Sequence, residues 1–478
     1  MLAAEASQSV AVVGPTQSGK TSSFAVPAIL GWRGPVLAVS VKTDLVRDTY
    51  RWRRSCGIVW CFDPTEATGL ASSPWSPLRA ARTWTGARRV AADLTEVTRT
   101  NSSTPDGDFW YATAAKLIAP LLFAAAASGR TMVDVVRWVD TQEVAEVVAA
   151  LEASGVREAM QAAYASFGRD ERQRSAVYTT AETVLEPFAG MASGSLPTRT
   201  QMMGSAWSVP DSLHPTGLLG AEPLRDANKA FFGGSPEAWR SGEIRPDLLL
   251  DGSNTLYVCA PAHDQRRLRG LFTAIVKQVL EVAFSRSTLL GGPLRPPLLV
   301  VLDEAANIAP LAELDGLAAT CASHGVQLVT IWQDLAQLSA RYGDRAATVI
   351  NNHRARIFLS GIADGGTLEQ ASRLLGDEEV EVPSVTRDAA GGRSMTISSH
   401  RRRLLSPEAL RQLPPGTGVL VYGSLPPVKV ALRPWWRDAQ LQRRGSYSAL
   451  SDWHDLGPGG IRGRFGHRRP DRKPERHI

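Results

Sequence analysis

An α/β fold, with a mainly parallel sheet interrupted by one all-α insertion, is what the sequence predicts, and three observations carry that expectation. Short apolar runs of strand length recur along the chain, each followed by a segment long enough for a helix, which is the alternation of a parallel sheet with crossover helices. The first of these runs leads into a glycine-rich loop. Between about residues 74 and 242 the strand signal stops, and alanine-rich stretches with helical spacing, such as 112–127 and 142–153, take its place.

In chain order, the apolar run Val10-Ala11-Val12-Val13 reads as the first strand and delivers the loop Gly14-Pro15-Thr16-Gln17-Ser18-Gly19-Lys20-Thr21. Gly14 and Gly19 let the backbone turn and bring its N–H groups close to phosphate oxygens. The helix expected from Thr21 adds the positive end of its dipole. Lys20 is expected to reach β- and γ-phosphates and Thr21 to ligate Mg²⁺, so ATP with Mg²⁺ is the expected ligand.

Further strands are expected at 36–41 and 58–62. The first of these runs into Ser40-Val41-Lys42-Thr43-Asp44, which puts a lysine and an acid on the carboxyl edge of the sheet, where ligands of α/β folds sit. A surface salt pair explains them equally well. After the helical stretch, strand signals resume at 255–259, 298–302, 326–331 and 356–359. The run Leu298-Leu299-Val300-Val301-Leu302 is a buried strand ending in Asp303-Glu304, where an ATPase needs its second pair of carboxylates. Asp303 is expected to hold Mg²⁺ through water and Glu304 to activate the attacking water. Kinases of small molecules often lack the paired second acid, so Glu304 favours hydrolysis that drives mechanical work. One strand further on, Gln333 has the chemistry to sense a γ-phosphate; the alternative is a merely exposed Gln beside a helix-capping Asp334. The runs 418–422 and 428–432 read as a terminal β pair.

Bulk composition sets the limits. A chain of 478 residues, 44% hydrophobic and 21% charged, can bury a large core and divide into two or three domains. Its longest apolar run, 117–127, falls short of the roughly 18–20 residues of a membrane helix, so no transmembrane segment is expected. Residues 1–8 lack a basic n-region and an apolar h-region, so secretion is not expected. Cys56, Cys61, Cys259 and Cys321 should then be reduced thiols, and neither they nor the histidines have zinc-ligand spacing. Residues 462–478 hold seven Arg or Lys against Asp471 and Glu475, so most of the net charge of +6 belongs to a tail rather than to the fold. That tail is either a disordered solubilising end or a segment attracted to nucleic acid or anionic lipid.

The strings GPTQSGKT, SVKTDL, LLVVLDEAANIAPL, HGVQLVTIWQDLAQLSARYG and LSPEALRQLPPGTGVLVYGSLPPVKVALRPWW, in this order and spacing, resemble the TraG/TraD group of type IV secretion coupling proteins, within the FtsK/HerA-like motor superfamily. The resemblance covers roughly residues 8–437. It implies a RecA-like P-loop NTPase motor domain built from 1–73 and 243–437. The all-α insertion at 74–242 would face the cytoplasm and meet the DNA-processing machinery, and a basic tail would occupy 438–478. It also implies a hexameric ATPase associated with the cytoplasmic side of the bacterial plasma membrane. Such a ring recruits a relaxase-bound DNA strand, meets relaxosome proteins and channel components, and drives the DNA into a conjugation channel. Carried over residue by residue, the nucleotide-binding residues fall on Gly19, Lys20 and Thr21, the acidic pair on Asp303 and Glu304, and the glutamine on Gln333.

Two departures matter. Family members usually begin with transmembrane helices, whereas this chain opens almost directly on the first core strand, so a missing N-terminal segment or a partner is expected to supply the anchor. Several members also place an arginine three residues before the glycine that precedes the sensor strand. Here that position is Ala322, before Gly325, which leaves Arg354 or Arg356 as candidate arginine fingers. A relative that exports protein or pumps chromosomal DNA remains an alternative, as does an adaptor that binds ATP with little turnover. Intact Lys20 and Glu304 argue against the adaptor.

Overall fold

The structure is a computed structural model and describes residues 8–99, 105–192, 242–261, 264–305, 311–387 and 393–445. The basic stretch 462–478 and the insertion's residues 193–241 lie outside the described residues.

Among the described residues, nine strands form one sheet in the order β11-β10-β7-β1-β6-β5-β2-β4-β3. These are β1 (Val10–Val13), β2 (Val36–Ser40), β3 (Val59–Phe62), β4 (Thr255–Cys259), β5 (Leu298–Asp303), β6 (Val326–Trp332), β7 (Ala355–Leu359), β10 (Thr417–Tyr422) and β11 (Val428–Ala431). Every neighbouring pair is parallel except the two made by β10. Each expected strand is present, with ends moved by one residue or so. One consequence of the order positions the site. β6 lies between β1, which carries the glycine loop, and β5, which carries the acids, so all three carboxyl ends open onto the same edge.

The sheet is covered on both faces because its strands alternate between two cores. Ala11, Val13, Leu37, Val39, Phe62, Val300, Leu302, Leu328 and Trp332 join one core, while Val12, Ala38, Cys61, Tyr257, Val301, Ile331 and Leu359 join the other. The second face receives a wide π turn, Thr21–Ala25, that continues as α1 (Val26–Gly31), together with α2 (Asp44–Cys56). Arg53 of α2 is fully buried there, donating to Thr255 Oγ1 at 2.7 Å and to the carbonyls of Trp32, Gly34 and Ser253, each at 2.8 Å.

The first face carries the helices between β3 and β4: α3 (Trp84–Arg99), α4 (Pro105–Ala127), α5 (Met132–Asp140), α6 (Ala145–Ser154), α7 (Arg157–Phe167) and α8 (Glu171–Ala192). They pack around α4, whose Leu117, Ile118, Leu121, Leu122 and Ala124 are fully buried. Here the sequence reading needs a correction. The apolar run 117–127 belongs to a longer helix, and Gly107–Ala127 is by length and composition long and apolar enough to cross a membrane. It is instead the central helix of this bundle, with 61% of its apolar window buried against its neighbours. The run alone looked too short because polar residues at its start, such as Thr113, also lie within the helix.

α9 (Gln265–Leu289) joins the bundle to the sheet. Its Lys277 pairs with Asp93 and Glu96 of α3, its Glu281 pairs with Arg89, and its Gln278 accepts from Trp75 Nε1 at 2.7 Å. Phe62 of β3 packs edge-on against both Trp75 and Phe272, and Trp75 stacks on Phe188 of α8, so a chain of rings runs from sheet to bundle.

Two features depart from expectation. A ribbon, β8 (Asp377–Arg387) paired with β9 (Arg393–Arg403), stands apart from the sheet. It gave no periodic apolar signal because charge pairs help zip its base: Asp377, Glu378 and Glu379 face Arg403, Arg402 and Arg401. The folded body also runs past residue 437. After α10 (Leu335–Tyr342), α11 (Gly365–Leu375) and the last strand, α12 (Ala439–Gly445) packs on α1 and α2. Residues 439–445 therefore belong to the body and not to a disordered tail.

Candidate functional site

The loop after β1 adopts a conformation that its two glycines permit. Gly14 donates to the Trp332 carbonyl at 3.1 Å, and a Cβ at this position would sit 2.8 Å from both Leu359 Cβ and Ser18 Oγ. Gly19 has φ +86°, and Gln17 shares the left-handed region at φ 66°, a conformation that for a side chain costs on the order of 1 kcal/mol. The chain then enters the π turn, which sets Thr21 and Lys20 at the base of a cleft of about 320 Å³.

Lys20 is only 8% exposed, and its Nζ donates to the carbonyls of Gly14 and Pro15. Burial lowers its pKa to about 8, against the pull of Asp303 and Glu304, and Lys42 lowers it further. Among the described residues its hydrogen bonds go to neutral carbonyls, so a phosphate oxygen entering the cleft would be a better-matched partner for the ammonium.

Thr21 and Asp303 meet directly. Thr21 Oγ1 donates to Asp303 Oδ2 at 3.1 Å, and Ser40 Oγ at the end of β2 donates to the same oxygen at 3.4 Å. Asp303 is 2% exposed, and its pKa is raised to about 6, first by burial and then by the nearby Asp44, with Thr21 and Lys42 opposing. A buried carboxylate beside a second acid is a group that a divalent cation would stabilise. Glu304 follows at φ 60°, a left-handed turn off the end of β5. Lys42 Nζ lies 3.7 Å from Glu304 Oε1, so this lysine's charged partner is the expected catalytic acid on the adjacent strand.

Gln333 lines the same cleft from the end of β6, between the loop and the acids. Its backbone N–H donates to Gln337 Oε1 at 3.3 Å, while Asp334 caps α10 by accepting from Gln337 N at 2.9 Å. The capping role therefore belongs to Asp334, and Gln333 lines the cleft beside it. Lys20, Thr21, Asp303, Glu304 and Gln333 are all brought together. Arg354 and Arg356 are not: they stand at the amino end of β7, the opposite edge of the sheet, with Arg354 over the Tyr422 ring at 5.5 Å. Ala322 lies at that edge too, in the turn entering β6.

The sequence reading missed Arg47, Asp48 and Trp436, which line the cleft, and the buried Ser40, which reaches Asp303. Ser40 lay within a quoted string without being singled out, and Arg47 and Asp48 form a bidentate pair at 2.7 and 3.1 Å. Trp436 comes from beyond β11, and the Trp-Trp pair closing the last matched string was its only signal.

The donor set fits a Mg²⁺-bound polyphosphate. Besides the loop and Lys20, the hydroxyl-bearing Thr16, Thr21 and Ser22 line the same cleft, where phosphate oxygens would meet them. Thr21 and Asp303 are the residues that would hold the metal.

Comparison with known proteins agrees. Residues 2–193 match the family described as type IV secretory system conjugative DNA transfer, and residues 297–415 match the family described as the TraM recognition site of TraD and TraG. Protein VirD4 of Rhizobium rhizogenes is 24% identical over 443 residues, which is 90% of this chain and 59% of that protein. Conjugal transfer protein TraG of Escherichia coli is 24% identical over 84% of this chain and 61% of its own length. The chain thus spans about three fifths of these curated relatives. Among solved structures, the bacterial conjugative coupling protein TrwBdeltaN70 superposes with a TM-score of 0.59 at 20% identity, covering 89% of this chain and 84% of that one. The plasmid coupling protein TrwB in complex with ADP and Mg²⁺ also gives 0.59, at 19% identity over 89% and 85%. The neighbours share the RecA-like P-loop NTPase fold. With two matched family regions spanning well over half of its length, the chain belongs to the TraG/TraD-like type IV secretion coupling proteins.

Proposed function

We propose that this chain is an ATP-hydrolysing coupling protein that recruits relaxase-bound DNA and pumps it into a conjugative type IV secretion channel. It would work as a homo-hexameric ring at the cytoplasmic face of the plasma membrane. The observation that carries the reading is the Thr21–Asp303 hydrogen bond, which closes the glycine loop onto the acidic strand across β6, with Lys20, Glu304 and Gln333 around it.

The loop N–H groups and Lys20 would hold the β- and γ-phosphates. Thr21 and, through water, Asp303 would hold Mg²⁺, which on binding neutralises phosphate charge. Glu304, steadied by Lys42, would orient a water and take its proton. Gln333 would donate its amide to a γ-phosphate oxygen and pass the state of the site to α10, whose first turn Asp334 caps. The helical insertion would choose the substrate, since none of the cleft residues lies in it. The conjugation and coupling names of the relatives, and the ADP and Mg²⁺ in a TrwB structure, support this reading.

The test is transfer itself. A donor strain whose own copy is deleted, complemented with Lys20→Ala at wild-type protein levels, should lose DNA transfer by orders of magnitude. Wild-type transfer frequency from that variant would refute the motor role.

A further inference from the structure

We propose that the segment after β11, residues 432–445, is a nucleobase clamp, with Trp436 as the plane on which the base stacks. This rests on the nucleotide reading of the cleft and names the part of the ligand that the glycine loop and acids leave unaccounted for.

The segment is built to hold one side chain still. Arg433 donates to the Arg437 carbonyl at 3.0 Å and lies 3.5 Å from Asp438, closing the turn around the Trp-Trp pair. Asp438 then accepts from the backbone of Gln440 at 3.0 Å and Leu441 at 3.1 Å, starting α12. At the far end, Arg444 donates to the Leu30 carbonyl at 2.7 Å and lies 4.7 Å over the Trp52 ring. It thereby ties the clamp to the end of the helix that starts from the glycine loop. Trp435, partly buried, packs against the core that α1 and α2 cover, and is wedged so closely that a Cβ on Gly445 would meet its ring at 2.5 Å. Leu432 reaches toward Gly19, its Cδ1 3.8 Å from where a Cβ there would stand.

Trp436 is what this anchoring leaves over. It stands edge-on to Trp435 at 5.8 Å, remains 49% exposed, and lines the cleft that contains Lys20, Thr21 and Asp303. A large ring held half in water, with no ring stacked face to face on it among the described residues, is a stacking platform. The occupant that the same cleft dictates is the base of a nucleotide whose phosphates sit on the loop. Stacking reads a π-face and not the base edges, so the clamp should serve adenine and guanine alike.

The experiment separates base from phosphates by comparing MgATP with Mg-tripolyphosphate, which carries the phosphates and no base, by titration calorimetry. Trp436→Ala should weaken MgATP about 5- to 150-fold, the span of a lost base–aromatic stack. MgGTP should weaken equally, and Mg-tripolyphosphate should stay within about twofold. Trp436→Phe, which keeps a ring, should return MgATP to within about threefold of wild type. Equal weakening of MgATP and Mg-tripolyphosphate, or no weakening of either, would overturn the clamp. Lys20→Ala is the separate control: if it leaves Mg-tripolyphosphate binding untouched, the phosphate site is misplaced and the underlying reading fails instead.

Discussion

His353 is a fully buried imidazole whose hydrogen bonds define its tautomer, and its titration should be visible in the stability of the whole motor. It lies between the short helix Ala346–Asn351 and β7, facing β6. Nδ1 lies 2.7 Å from the Val349 carbonyl, which can only accept, so Nδ1 carries the proton. Nε2 then accepts from Thr330 Oγ1 at 3.0 Å, and that hydroxyl in turn accepts from Trp332 Nε1 at 2.8 Å. Burial lowers the imidazole pKa from 6.5 to about 4, against the Val349 bond, and Arg356 lowers it further. The sign follows from linkage. Between about pH 6.5 and 4 the unfolded chain binds a proton that the folded one refuses, so stability falls as pH falls through that window and levels off below it. A shift of this size corresponds to roughly 3 kcal/mol in full, of which roughly 2 kcal/mol is lost between pH 7 and 5. The assay is urea unfolding of wild type and His353→Gln at both pH values. The loss from pH 7 to 5 should be larger in wild type by roughly 2 kcal/mol, because carboxylates common to both proteins cancel. Equal pH dependence in the two proteins would show that His353 is not held neutral, and would refute the network as drawn.

Arg53→Met removes the guanidinium that donates to the carbonyls of Trp32 and Gly34 and to Thr255 Oγ1, and should cost about 3–5 kcal/mol in urea unfolding. A loss under about 1 kcal/mol would mean that water replaces the guanidinium. Gln333→Ala should keep MgATP affinity within a few-fold, since Lys20 and Thr21 remain, yet erase any stimulation of hydrolysis by DNA. Stimulation equal to wild type would remove Gln333 from the coupling path.

What could be read from the sequence follows from how local each feature is. The glycine loop is contiguous, and its chemistry is written in eight adjacent residues. Asp303 and Glu304 could be found because they end an apolar run on a strand buried along its length. Ser40 reaches Asp303 only because β2 pairs with β5, a pairing that no local pattern records. Trp436 reaches the cleft only because Arg444 and Trp435 fold the last segment back over α1 and α2. The ribbon β8–β9 escaped notice because it forms outside the sheet, and its base alternates acids against arginines. Only 112–127 of α4 carries a helical signal in the sequence, because its N-terminal turns mix aromatic and polar residues, which the surrounding bundle buries in part.

The central claim is that the carboxylate on the turn after β5 activates water while the loop after β1 holds the nucleotide. The most direct measurement is the steady-state ATPase rate of Glu304→Gln beside wild type, with and without single-stranded DNA, together with MgATP affinity. The substitution keeps the side chain's shape and its place opposite Lys42 and removes only the basic oxygen. Affinity within a few-fold of wild type and turnover lower by about 100-fold or more is the result the account predicts. Turnover equal to wild type would contradict it.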